Sequence, residues 1–307
     1  MNSSVASAQP PRDQKTILVV GMHRSGTSVL ARIVNLMGAF VGAEAELVPA
    51  HESINPTGYW ERRDVVVEQD LFLQRNGFGW GTLANFDLDK IAEERKRSLV
   101  SALGDIVGKM EQGGAPLVIK DPRVCLLLPV WRDVVAAPVH IVAVRDPRKV
   151  AASLMASFPA SFTTDFLLAL WQKYLQTALI SLRGERVLFV AYERLLADTP
   201  AQHDRLLHGL HVLGADGLNG LTPERLRAEF DEKLDRSEPS PHARLSEDQR
   251  EIGDWLAEQC ANADPVVVAD VPQVAPPDAV LAELEMVRRA CTQNGWQMAM
   301  KKLQASA

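Results

Sequence analysis

The stretch KTILVVGMHRSGTSVLARIVN, residues 15–35, decides the fold. It opens as a short apolar run rich in β-branched residues, Thr16–Val20, and passes through a glycine-bounded polar loop, residues 21–28. It continues with Val29, Leu30, Ile33, Val34 and Met37 on one helical stripe, so the order is strand, loop, helix. Gly21 and Gly26 stand five apart, as in a Walker A loop. A loop of that shape turns backbone N–H groups toward one point, where the first turn of the helix adds unpaired donors and a positive dipole end. The stretch therefore predicts a cradle for a phosphate-like anion. The Walker lysine is absent: Thr27 and Ser28 follow Gly26, and the cation inside the loop is Arg24. That departure counts against a Mg-ATP site.

Working outward, residues 139–144 read as the clearest further strand, ending at Arg145-Asp146-Pro147-Arg148. Residues 115–119 read as a buried strand running into Lys120-Asp121-Pro122-Arg123, and residues 186–190 as another. Helical patterns lie between them, over residues 60–77, 87–111, 149–157 and 165–182. Strands alternating with helices predict an α/β fold: three layers, a central parallel sheet flanked by helices. The carboxyl ends of its strands carry the Gly21 loop, the Lys120 segment and the Arg145 segment, and ligands bind at that edge of such sheets. Residues 39–41 read as a short strand, and residues 51–58, with their Asn-Pro and Thr-Gly pairs, as an exposed loop. Glu61 falls at the start of the helix that follows, where a carboxylate serves either as a cap or as a chemical group.

The organisation expected is a disordered leader over residues 1–14, a catalytic domain over 15–260, and a linker with a C-terminal helix over 261–307. Residues 222–234 and 247–260 read as helices, 263–277 as a Pro- and Val-containing linker, and 278–303 as one more helix. The 307 residues are 47% apolar and 23% charged, which suits a sizeable core. A net charge of −6 argues against nucleic acid as partner, because such binding needs a basic face to displace counterions. Cys125, Cys260 and Cys291 are odd in number and lack metal-ligand spacing, so they read as reduced thiols. No apolar run reaches the length of a membrane span and the first residues lack a signal-peptide pattern, which together predict a cytoplasmic protein.

With these residues in place, the chain resembles the sulfotransferase superfamily that uses 3′-phosphoadenosine 5′-phosphosulfate, in the style of its bacterial and Golgi carbohydrate branches. GMHRSGTS, residues 21–28, is similar to the family's 5′-phosphosulfate loop. Arg145 at a strand end followed eight residues later by Ser153 is similar to its 3′-phosphate site. VLFVAYERLLADTP, residues 187–200, is similar to the strand and helix that come next, and NPTGYWERRDV, residues 55–65, to a motif of one bacterial branch. The likeness spans residues 16 to about 213 and leaves the C-terminal third uncovered.

The resemblance implies transfer of a sulfuryl group from that co-substrate to an acceptor hydroxyl, on a carbohydrate or glycolipid, without a metal. It assigns Arg24, Ser25, Gly26, Thr27 and Ser28 to the 5′-phosphate, with His23 shaping the loop, and Arg145 and Ser153 to the 3′-phosphate. Arg24 and Lys120 would stabilise the transferring group. The histidine that cytosolic small-molecule relatives carry two residues past the lysine is Pro122 here, so the base falls to Glu61, with Glu52 and His51 as fallbacks. Structural readings stand beside these: a pairing of Asp121 with Lys120, a plain salt bridge at Arg145, and Tyr59, Trp60 and Trp80 either stacking on a sugar or packing in the core. Two other functions compete, a P-loop phosphotransferase acting with Mg-ATP and a nucleotide-binding protein that has lost catalysis.

Overall fold

The computed structural model describes residues 15–51, 55, 57–110, 114–158, 162–230, 237–239, 241 and 243–287. Its centre is a five-stranded sheet of β1 (Thr16–Val20), β2 (Leu117–Lys120), β3 (Val139–Val144), β4 (Arg186–Ala191) and β5 (Val266–Val267), in the order β2-β1-β3-β4-β5. The first four run parallel, as predicted, and β5 adds an antiparallel edge against β4. The connection from β1 leads to β2 on one side and the next crosses from β2 to β3 on the other, so the crevice between β1 and β3 is a topological switch point.

Alternation along the strands divides the core. Leu18 and Val20 face one apolar cluster, which includes Phe72, Trp131, Trp171 and Tyr174. Ile17 and Val19 face the other, which includes Leu30, Ile33, Val34 and Leu206. Helices α2 (Arg63–Arg75), α3 (Glu93–Met110), α4 (Val124–Val134), α5 (Pro147–Ser157) and α6 (Thr164–Ser181) supply the first side. Helices α1 (Thr27–Leu36), α8 (Thr199–Val212) and α9 (Pro223–Glu229) supply the second; α7 (Tyr192–Ala197) and α10 (Glu247–Gln259) are further helices. Each large side chain buried in these clusters contributes on the order of 1.5–3 kcal/mol, so the two clusters fix the strand ends in space.

Several local expectations change. Residues 39–41 make a single bridge, Phe40 to Leu117, and not a strand. The helix expected from residue 87 begins at Glu93, because Asp87 caps a separate short turn, Leu88–Lys90, by accepting from the Asp89 N–H. Residues 263–277 do more than link: Val266–Val267 pair with β4, and Val268 and Val271 are buried in the first cluster. Residues 278–287 are helical; the leader at 1–14 and the helix beyond 287 lie outside the described residues, as do Glu52 and Cys291. Among the described residues no helix is long and apolar enough to cross a membrane.

Candidate active site

The loop after β1 owes its shape to two left-handed residues. Arg24 has φ +68° and Gly26 φ +89°. Gly26 has a second reason to be glycine, since a Cβ there would lie 2.2 Å from Cδ2 of Tyr192, the residue that follows β4. Gly26→Ala should therefore lower unfolding stability by about 2–4 kcal/mol, from backbone strain plus overpacking, measured as a shift in the urea midpoint at unchanged slope. At the other end of the loop the Gly21 N–H donates to Sγ of buried Cys125 at 3.2 Å. Burial raises that thiol to about 12, so it stays protonated and inert.

The carboxyl ends of β1, β2 and β3 bring three cations together. Arg24 Nε donates to Ser153 Oγ on α5 at 2.8 Å, and Arg145 Nη1 donates to the Arg24 carbonyl at 2.7 Å. The Arg145 guanidinium also lies 4.7 Å over the Tyr192 ring. Lys120, the last residue of β2, is buried; its ammonium donates to the Tyr59 carbonyl at 2.9 Å and pairs with a Glu61 carboxylate oxygen. Together with the open N-terminal turn of α1 these groups line one cleft of about 830 Å³, its open mouth included. It suits an anion carrying more than one charged group.

Of the residues singled out from sequence, His23, Arg24, Gly26, Thr27, Ser28, Glu61, Lys120, Arg145 and Ser153 all border this cleft. Ser25 does not. It is buried, its N–H closes the turn onto the Met22 carbonyl at 3.2 Å, and it shapes the loop instead of facing the ligand space. Glu61 is not a helix cap either: α2 starts at Arg63 with Arg62 at its cap position, and Glu61 turns to Lys120. Burial pushes the Glu61 carboxyl up from its ordinary range, while the Lys120 ammonium pulls it back. Asp121 pairs with Arg123, whose guanidinium also reaches Asp70 of α2. The expected Asp121 to Lys120 pairing is absent among the described residues.

His23 sits at one end of the cleft with its ring 5.0 Å from Trp80 and edge-on to Tyr174. Burial, with the charges of Arg123, Lys120 and Arg24 around it, lowers its pKa well below the usual value, so it adds no charge at neutral pH. Sequence reasoning gave Tyr192 no role, and it named Tyr59 only as a residue that either stacks on a sugar or packs in the core; both border the cleft, with Asn55 and Thr57 beside Tyr59 in one wall. Tyr192 could have been found from its place at the end of the fourth parallel strand. The wall carries no periodicity that would mark which side faces a ligand.

The family described as the sulfotransferase family matches residues 16–213. Among solved structures, the sulfotransferase domain of the Synechococcus PCC 7002 olefin synthase is similar at 19% identity, covering 91% of this chain and 98% of that one, with a TM-score of 0.41. A sulfotransferase domain from the curacin biosynthetic pathway is similar at 18% identity, covering 90% and 99%, with a TM-score of 0.43. A Mycobacterium avium sulfotransferase is similar at 16% identity, covering 76% and 79%, with a TM-score of 0.39. No curated protein matches the chain.

Proposed function

The chain belongs to the sulfotransferase family, and from that premise we propose that it moves a sulfuryl group from 3′-phosphoadenosine 5′-phosphosulfate to a hydroxyl of a carbohydrate or glycolipid acceptor in the cytosol. The observation that carries this reading is the direct bond between Arg24 of the loop and Ser153 of α5, with Arg145 bound to the loop's own carbonyl. Two anion-binding segments more than a hundred residues apart in sequence meet in one cleft, as a donor with a phosphate at each end of its ribose requires. The donor set fits: Arg24, Arg145, Thr27 and Ser28 of the first turn of α1, and the buried Lys120 all line the one cleft.

When bound, the donor supplies the sulfuryl group and a phosphate leaving group. The chain's part is positioning and charge. Arg24 and the N–H groups of α1 neutralise charge that grows on the 5′-phosphate. Arg145 and Ser153 hold the 3′-phosphate, and the Lys120 ammonium lies against the transferred oxygens. Glu61 takes the acceptor's proton; burial, by raising its carboxyl, makes it a stronger base than an exposed glutamate. The polar wall of Asn55, Thr57 and Tyr59 suits a hydroxyl-rich acceptor.

Thermal-shift titration tests the donor. Adenosine 3′,5′-bisphosphate at a hundred times its Kd should stabilise the protein by about 2.7 kcal/mol, a rise of several degrees. ADP and Mg-ATP should do much less, and Arg145→Ala should remove the effect. Stabilisation by Mg-ATP alone would replace the sulfuryl-transfer reading with the phosphotransferase one.

A further inference from the structure

The cleft wall formed by Asn55 and residues 57–61 is built on a strained bend. Asn55, Thr57, Tyr59 and Glu61 line the cleft, while Trp60 packs away from it against the second apolar cluster. Two residues of this short segment are left-handed: Gly58 at φ +87° and Trp60 at φ +58°. For a bulky aromatic residue that conformation persists only where the surroundings impose it.

Two contacts on Trp60 impose it. Its indole Nε1 donates to the Thr57 carbonyl at 2.9 Å, and the Arg32 guanidinium of α1 lies over its ring at 4.4 Å. Arg32 is itself held from behind, by a two-pronged bond to the Glu229 carboxylate at the end of α9 (Nε to Oε2 3.3 Å, Nη2 to Oε1 3.1 Å) and by Asn35 Oδ1 at 3.3 Å. The residues on either side of Trp60 are the two that hold the catalytic cleft's ammonium: the Tyr59 carbonyl accepts from Lys120 Nζ, and the Glu61 carboxylate pairs with it. The backbone at Trp60 thus decides whether both Lys120 partners point inward together.

We propose that Arg32 and Trp60, braced by Glu229, form a clamp outside the cleft that holds the 57–61 wall in its bent form and thereby positions Lys120 and Glu61. These are positioning residues, since none of the three lines the cleft. The kinetic consequence rests on the sulfuryl-transfer reading; the geometric one does not.

The test uses Arg32→Met, which keeps an apolar side chain over the ring but removes the cation, and Arg32→Lys, which restores a cation. Hydrogen exchange in residues 57–62 should speed by about tenfold in Arg32→Met and by much less in Arg32→Lys, with helices far from the bend unchanged. In sulfuryl transfer, kcat should fall by about tenfold or more in Arg32→Met while the affinity for adenosine 3′,5′-bisphosphate stays within about twofold. A lesion that merely loosened the fold would weaken both.

Unchanged exchange over 57–62 in Arg32→Met overturns the clamp. Faster exchange with unchanged kcat overturns its role in positioning. If the wild-type protein transfers no sulfuryl group to any acceptor, the functional reading fails by itself. The clamp is then judged on exchange and on a crystal structure of Arg32→Met, in which Lys120 Nζ should have left the Tyr59 carbonyl; an unmoved Nζ overturns it.

Discussion

Arg24→Ala is expected to lower kcat by about 10²–10³-fold, the scale of removing one preorganised donor aimed at developing charge, with the protein still folded. Arg24 stands where the loop meets both phosphate-binding segments: its side chain bonds Ser153 and its carbonyl accepts from Arg145. Truncation leaves the carbonyl contact intact, so Arg145 should keep its place. It removes the one cation inside the loop, and with it the charge that offsets a leaving phosphate. Stability should fall by about 1–2 kcal/mol for the lost side-chain hydrogen bond, because alanine tolerates φ +68° no worse than arginine does. Arg24→Lys should recover only part of the rate, since an ammonium cannot keep the Ser153 bond and face a phosphate with a planar fork. The measurement is kcat and KM for the donor on purified variants whose melting curves remain cooperative. Full activity in Arg24→Ala would end the proposed mechanism.

The positions that mattered here were legible in unequal degree. The loop of residues 21–28 and the strands before Lys120 and Arg145 could be read because buried parallel strands leave short β-branched runs, and because glycine and charge mark where each strand stops. The same logic reached Ser153 only through family resemblance; nothing in its local sequence separates it from a surface hydroxyl, yet it is buried and bonded to Arg24. β5 was missed since two residues, Val266–Val267, give no alternation to count, and pairing with β4 is a tertiary choice. Glu61 was ambiguous for a related reason. A carboxylate just before a helix favours capping by propensity, and what overrode it was the ammonium of Lys120, fifty-nine residues away. Trp60 was undecidable between sugar platform and core, because its answer lies in a backbone angle and in Arg32 on another helix.

Lys120→Met should abolish turnover and also lower unfolding stability by about 3–5 kcal/mol at pH 7.5, since removing one partner strands the other charge in a buried site. Glu61 is only 8% exposed, and in the described structure Lys120 is its one side-chain partner. The dependence on pH follows from linkage. Burial already raises the Glu61 carboxyl, and without the opposing ammonium it must rise further. A group whose folded pKa lies above its unfolded one binds more protons when folded, so stability is lost as pH climbs from the unfolded value of about 4.3 through the folded one. The deficit of Lys120→Met relative to wild type should therefore be large at pH 7.5 and shrink steadily toward pH 5, read from urea midpoints at both. Adding Glu61→Gln should recover most of the stability at pH 7.5 and none of the activity, which separates the fold's need for a matched pair from the reaction's need for a cation. A Lys120→Met protein that is as stable as wild type at pH 7.5, with no slope against pH, would mean that the Glu61 carboxylate keeps its charge in the fold without the ammonium. Glu61 would then not depend on Lys120 as its partner, its carboxyl would not be raised by burial into a stronger base, and the proton transfer assigned to it would have to move elsewhere in the cleft.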